Sequence, residues 1–167
     1  LEETVAPASQ DLRLGTSRAD VLTGGAGNQT LIGFGGDDLF NGGLGADAMD
    51  GGDGIDTVSN EGSVGSLRVD LLFSQLNTFW AAGDTFTSIE NLIGSQGFDN
   101  LRGTTENNLI QGMVNVDYIF GRAGVDTLEG GVEDDVLFGG ADADVLRGGA
   151  NRYRAQYSES LTGVFAN

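Results

Sequence analysis

The residues of this chain best suited to chemistry are aspartates set at a fixed spacing. Residues 42–59 read GGLGADAMD and then GGDGIDTVS, two nine-residue units end to end. Each has glycine at its first, second and fourth positions, aspartate at the sixth (Asp47, Asp56) and an apolar residue at the eighth (Met49, Val58). Counting by nine in both directions holds the register through units 15–23, 24–32 and 33–41, and again through six units from 94 to 147. The sixth positions are then Asp20, Gln29, Asp38, Asp47, Asp56, Asp99, Asn108, Asp117, Asp126, Asp135 and Asp144. A column of carboxylates beside glycine-rich turns, with carbonyls near Gly36, Gly43, Gly45, Gly52, Gly54, Gly124, Gly131 and Gly140, is a set of hard oxygen ligands. Such a set suits Ca²⁺, which takes six to eight oxygens in adaptable geometry, better than Mg²⁺, which demands an octahedron and keeps its waters.

What must position these carboxylates is written at the eighth position: Leu22, Leu31, Phe40, Met49, Val58, Leu101, Ile110, Ile119, Leu128, Leu137 and Leu146, none of them polar. A period of this kind signals stacked repeats that bury a continuous core. The first six residues of a unit are turn-like, because glycine tolerates positive φ. The last three read as a very short strand whose middle side chain alone points inward. If each turn reverses the chain, eighteen residues make one coil. Leu22, Phe40 and Val58 then line one sheet, Leu31 and Met49 the other, and sixth-position residues two units apart become neighbours on one edge. Without a cation such neighbours repel each other in a partly desolvated turn. The pairs placed first are Asp38 with Asp56, Asp117 with Asp135, and Asp126 with Asp144, followed by Asp20 with Asp38 and Asp99 with Asp117. Gln29 with Asp47, Asn108 with Asp126 and Glu90 with Asn108 rank below them, since an amide brings oxygen but no charge.

Composition narrows the function classes. The 167 residues carry 25 acidic groups against 8 arginines, with no lysine or histidine, a formal charge of −17 that repels nucleic acid and anionic membranes. There is no cysteine, which excludes disulfides and thiol chemistry and, with histidine absent, the usual zinc, copper and iron ligands. No apolar run is long enough to span a membrane, and residues 1–14 lack the layout of a cleaved signal peptide.

Between and beyond the blocks the period lapses. Residues 1–14 read as a linker whose Leu12 and Leu14 cover the end of the first repeat. Residues 60–93 form an insertion packed on the roll, with an alternating strand at 67–71, the aromatic pair Phe79 and Trp80, and a return to register over 85–93 that puts Glu90 sixth and Leu92 eighth. The second block extends over 94–156, ragged across 103–120 and ending in motif terms near Tyr153. Residues 157–167 read as a cap or the truncated start of a further segment, because 160–165 echo 63–69.

Units such as 42–50 and 51–59 resemble the RTX (haemolysin-type calcium-binding) nonapeptide GGxGxDxUx. The eleven units span roughly three-fifths of the chain. The resemblance implies an all-β fold, a right-handed parallel β-roll of two short-stranded sheets interrupted by one insertion, with several Ca²⁺ ions in its turns. It further implies a secreted bacterial protein exported by a type I system, the roll being an accessory module of a protease, lipase, alginate epimerase, toxin or adhesin. Catalysis by the chain itself is not expected: no Ser/His or Cys/His set exists, and nearly every carboxylate pair belongs to the column. The alternative is a polysaccharide-binding module, with Trp80 and Phe79 as a stacking platform or Arg102, Arg122, Arg147, Arg152 and Arg154 meeting an acidic glycan. Against these stand packing of the aromatics over a sheet and local charge offset by the arginines.

Overall fold

The computed structural model describes residues 11–150, 153–156 and 165–166. The linker expected over 1–10 and the cap expected at the C-terminal end, apart from the strand at 165–166, lie outside these residues.

The chain is a β-solenoid of about eight turns in which every strand pair is parallel. Strands are numbered in chain order. One wall is a continuous eight-stranded sheet: β2 (Val21–Ala26), β4 (Leu39–Leu44), β6 (Thr57–Ser59), β9 (Asn91–Ile93), β11 (Leu109–Val114), β13 (Thr127–Val132), β15 (Val145–Ala150) and β17 (Phe165–Ala166). The facing wall is in two pieces. The first joins β1 (Asp11–Leu14), β3 (Gln29–Gly35), β5 (Ala48–Asp53) and β8 (Thr85–Thr87). The second joins β7 (Leu67–Asp70), β10 (Asp99–Arg102), β12 (Tyr118–Arg122), β14 (Asp135–Gly140) and β16 (Tyr153–Gln156). Within each block the register step is eighteen residues: Leu22 faces Phe40, Leu31 faces Met49, Ile110 faces Leu128.

Three details depart from the sequence expectation. Most strands run four to seven residues rather than three, because the opening glycines of the next unit stay in the ladder, as Gly25 does opposite Gly43. Only the middle of each unit is then left to turn. The second wall is split because β7 is built into it as an edge strand against β10, with Leu101 opposite Val69, instead of lying on the surface. The chain thus leaves β6, runs ahead to β7, crosses two short 3-10 turns at Ser74–Leu76 and Phe79–Ala81, and comes back to β8 beside β5. Finally, β1 presents Arg13 opposite Leu31, so this end of the core is met by an arginine paired to Asp11 at 2.6 Å, while Leu12 and Leu14 are exposed. A polar outer face suits a terminal rung, which has no neighbour to bury it.

The core is the eighth-position column. All eleven of its residues are buried, as is Leu92, and Leu67, Val69, Leu71, Ala81 and Ile89 extend the cluster through the irregular segment. At about 25 cal/mol per Å² of apolar surface removed from water, this single file is the main force stacking the coils.

Candidate metal-binding turns

The inward pull of each eighth side chain fixes the direction of the sixth, two residues earlier on the same face, so the aspartates fall at the sheet margins. Asp38, Asp47, Asp56, Asp99, Asp117, Asp126, Asp135 and Asp144 are all buried, and Asp20 is half-buried. One hydrogen bond repeats along both edges: the sixth residue's backbone N–H donates to a carboxylate Oδ1 one coil further on. It joins Asp20 to Asp38 (2.8 Å), Gln29 to Asp47 (2.7 Å), Asp38 to Asp56 (2.8 Å), Asp99 to Asp117 (2.8 Å), Asn108 to Asp126 (2.8 Å), Asp117 to Asp135 (2.9 Å) and Asp126 to Asp144 (3.0 Å). Glu90 meets Asn108 differently, its carbonyl accepting from Asn108 Nδ2 at 2.7 Å.

One ladder member, Asp84, was missed in the sequence, and Glu90, placed at a sixth position, was not paired with Asp56 there. Asp47 donates to Asp84 Oδ1 at 2.9 Å, and Asp56 donates to Glu90 Oε2 at 2.8 Å. Asp84 stands in the column because Phe86 faces Met49, but it lies 37 residues beyond Asp47 instead of 36 and so escapes a count by nine.

The turns come in two kinds. In the open kind the second carboxylate oxygen, Oδ2, is buried and has no hydrogen-bond donor among the described residues; these turns end in Asp38, Asp47, Asp56, Asp117, Asp126, Asp135 and Asp144. Every one has positive φ at both its second and its fourth residue, from Phe34 (73°) and Gly36 (99°) to Gly140 (107°) and Asp142 (73°). The eight glycines expected to shape the carbonyl cradles all lie in this left-handed region. Phe34, Met113 and Arg122 adopt it as well, at a cost on the order of 1–3 kcal/mol each.

In the closed kind the second residue's N–H is turned onto the sixth side chain. Thr16 donates to Asp20 Oδ2 at 2.6 Å, Gly25 to Gln29 Oε1 at 3.0 Å, Ser95 to Asp99 Oδ2 at 2.5 Å and Thr104 to Asn108 Oδ1 at 2.7 Å. The Thr16, Ser95 and Thr104 hydroxyls also accept the N–H of the fourth residue and donate to the same acid or amide.

The open turns fit a hard dication. A Cβ built on Gly33 would fall against both Asp38 Oδ2 and the Gly51 carbonyl one coil on; Gly112 and Gly121 repeat this with Asp117 and Gly130, and with Asp126 and Gly139. Gly15, Gly24, Gly94 and Gly103 of the closed turns do the same, so side-chain and carbonyl oxygens of successive coils converge over the first glycine in both kinds of turn. What sets the open turns apart is the carboxylate oxygen left without a donor among the described residues. Among the described residues no three acidic side chains meet at one point. The open turns of Gly33, Gly112 and Gly121 instead set a buried carboxylate oxygen beside a backbone carbonyl of the next coil, hard oxygen donors of the kind Ca²⁺ takes.

A family model for the RTX calcium-binding nonapeptide repeat matches the chain in four copies, over residues 14–49, 35–58, 93–128 and 120–152. The chain belongs to the RTX calcium-binding repeat family. No curated protein matches it. Its RTX repeats bind calcium, and the family is a structural repeat rather than a catalytic one.

The electrostatics of the RTX column agree with that chemistry. Burial pushes Asp117 up to about 8, Asp126 and Asp84 to about 7 and Asp135 to about 6, and raises Asp47, Asp56, Asp99 and Asp144 as well. The ladder N–H works against burial, while neighbouring carboxylates add to it: Asp99 and Asp135 around Asp117, Asp144 and Asp142 around Asp126. A dication between coils reverses the sign of these contacts.

Within the irregular segment, Trp80 packs half-buried against the core, and its indole N–H has no partner among the described residues. Phe79 is 77% exposed. With Leu44, Ser63, Val64 and Ser66 they line a groove of about 500 Å³. Of the arginines, Arg122 reaches the buried Asp70 at 2.7 Å and Arg147 reaches Glu129 at 2.8 Å, while Arg102 lies 4.2 Å above the Phe120 ring. Arg152 lies outside the described residues.

Proposed function

We propose that the chain is the calcium-folded β-roll module of a larger secreted bacterial protein. Calcium seated against the edge carboxylates converts a self-repelling acidic ribbon into a stacked solenoid. The supporting observation is the set of seven buried Oδ2 atoms without a donor among the described residues, each in a left-handed turn. Ligands scattered along an unfolded chain bind weakly, so assembling them on folding ties stability to the ion by mass action. Where calcium is scarce the chain stays extended for export, and where it is abundant the module folds and steadies its neighbours. The linker, the two repeat blocks, the insertion and the C-terminal segment expected from the sequence are the units of this module. No helix among the described residues is long and apolar enough to cross a membrane. Circular dichroism in EDTA and in millimolar calcium tests the proposal: a largely disordered chain and a β-rich one are expected, and identical spectra would remove it.

A second reading, a polysaccharide-binding part in a polysaccharide-modifying enzyme or an adhesin, is favoured by the groove between Phe79 and Trp80. A glycan screen of wild type against Trp80→Ala decides it, since absence of binding to any acidic glycan leaves the calcium module alone.

A further inference from the structure

We propose that the four closed turns have exchanged the metal for a protein hydrogen bond, so that calcium goes only to the seven open ones and each repeat block starts on a pair of turns that needs none. The inference rests on the calcium reading and assigns the ion turn by turn along the column.

Three observations carry it. In the closed turns the oxygen that would face the ion is already taken by the second residue's N–H, at 2.5 to 3.0 Å. Around three of them a serine or threonine hydroxyl completes the closure, giving the local sequences GTSRAD, GSQGFD and GTTENN. An N–H pointed at a carboxylate oxygen takes one of its lone pairs and turns positive charge toward it, which weakens that oxygen as a ligand and opposes a cation approaching from the same side. Secondly, backbone conformation divides the turns along the same line. Positive φ at both the second and the fourth residue occurs in all seven open turns and in none of the closed ones, where it appears once, at Gly27. Even Phe34, Met113 and Arg122 are held left-handed, whereas Thr16, Ser95 and Thr104 are not. Strain of that kind persists where something further fixes it, and a bound ion is what the orphaned oxygens call for.

The third observation is position. The closed turns are the first two of each block: Asp20 and Gln29 before Asp38, then Asp99 and Asn108 before Asp117, one on each edge of the roll. Each pair opens its ladder to the coil that follows and meets no aspartate of the same block behind it. Protein donors close these turns without relying on an ion that only two consecutive coils can hold. The other departures in the column, Gln29 and Asn108, fall in the same four turns, so the neutral amides mark turns that hold no ion.

The test is the amount of calcium bound per chain, measured by equilibrium dialysis on the whole chain. Asp20→Asn and Asp99→Asn are expected to leave it unchanged, whereas Asp117→Asn and Asp126→Asn lower it. Conversely, Thr104→Gly, Glu106→Gly and Asn108→Asp together install the glycines and carboxylate of an open turn and are expected to raise it. This gain-of-site variant keeps the test decisive should Asp99→Asn fail to fold, because Asp99 also holds the N–H of Leu67 at 3.1 Å. Equal losses from Asp20→Asn and Asp117→Asn, or no gain from the triple substitution, overturn the division while leaving calcium binding intact. A wild-type chain that binds no calcium overturns the calcium reading itself and the division with it.

Discussion

The backbone N–H of Asp117 donates to Oδ1 of Asp135 at 2.9 Å, one coil away, while Oδ2 of each residue is buried without a donor. One oxygen of each carboxylate is thus spent on registering the coils and the other is left for a ligand. Neutralising these side chains should therefore affect metal affinity and stacking together, whereas changes elsewhere in a turn can separate the two.

Protons should substitute for calcium. Burial pushes Asp117 up to about 8, Asp84 and Asp126 to about 7 and Asp135 to about 6, against 3.8 for an unperturbed carboxyl. Because the folded-state values are raised, the protonated fold is favoured: this stabilisation is complete below the unfolded value and is lost as pH rises through about 6 to 8. In chelator, β-structure is expected near pH 5 and its loss near pH 8.5; far-UV spectra that do not change with pH would contradict this. The calcium concentration needed to fold the chain should therefore fall as the solution is acidified, even though protons compete with the ion for the same carboxylates.

Glycines at the first position should be far less replaceable than one at the second position of a closed turn. A Cβ on Gly121 meets Asp126 Oδ2 and the Gly139 carbonyl, whereas one on Gly25 meets nothing within 4 Å. Gly121→Ala should destabilise the calcium-loaded roll by on the order of 2 kcal/mol or more, and Gly25→Ala by about 0.5 kcal/mol or less. Urea unfolding in saturating calcium compares them directly.

The Asp70–Arg122 pair should tie the irregular segment to the second block. Asp70 is fully buried, and its Oδ1 accepts from Leu72 and Phe73. Arg122→Ala leaves that carboxylate without its cation, a loss of roughly 3–5 kcal/mol for a buried pair. Adding Asp70→Asn should recover part of the loss. A double-mutant cycle showing no coupling would mean that the neighbouring N–H groups suffice.

Core truncation should be costly at every rung. Leu128 and Ile110 face each other across β11 and β13 with no exposed surface. Leu128→Ala is expected to cost about 2–5 kcal/mol in calcium-bound denaturation, with the calcium midpoint moving upward.

The two columns were legible in the sequence because a fixed period fixes side-chain direction: Leu22 to Phe40 and Asp38 to Asp56 repeat the same step. The three pairs ranked first from sequence are pairs in which both Oδ2 atoms lack a donor. Three of the four closed turns also carry a local signal, serine or threonine at the second position of 15–20, 94–99 and 103–108. Asp84 had none, since one extra residue shifts it out of phase. The strand at 67–70 could be read from its alternation, but its pairing with β10 ahead of it, and not with β8, depends on contacts about thirty residues away.

The unbroken eight-stranded wall has a mechanical consequence for the molecule. Opposite it, the break between β8 and β7 works as an expansion joint: chain can leave and re-enter there without cutting the ladder that carries the load from end to end. Lengthening the excursion at its tip should cost little more than loop entropy, which grows only slowly with length. The same tolerance makes this point the natural port for grafting new surface onto an otherwise monotonous scaffold.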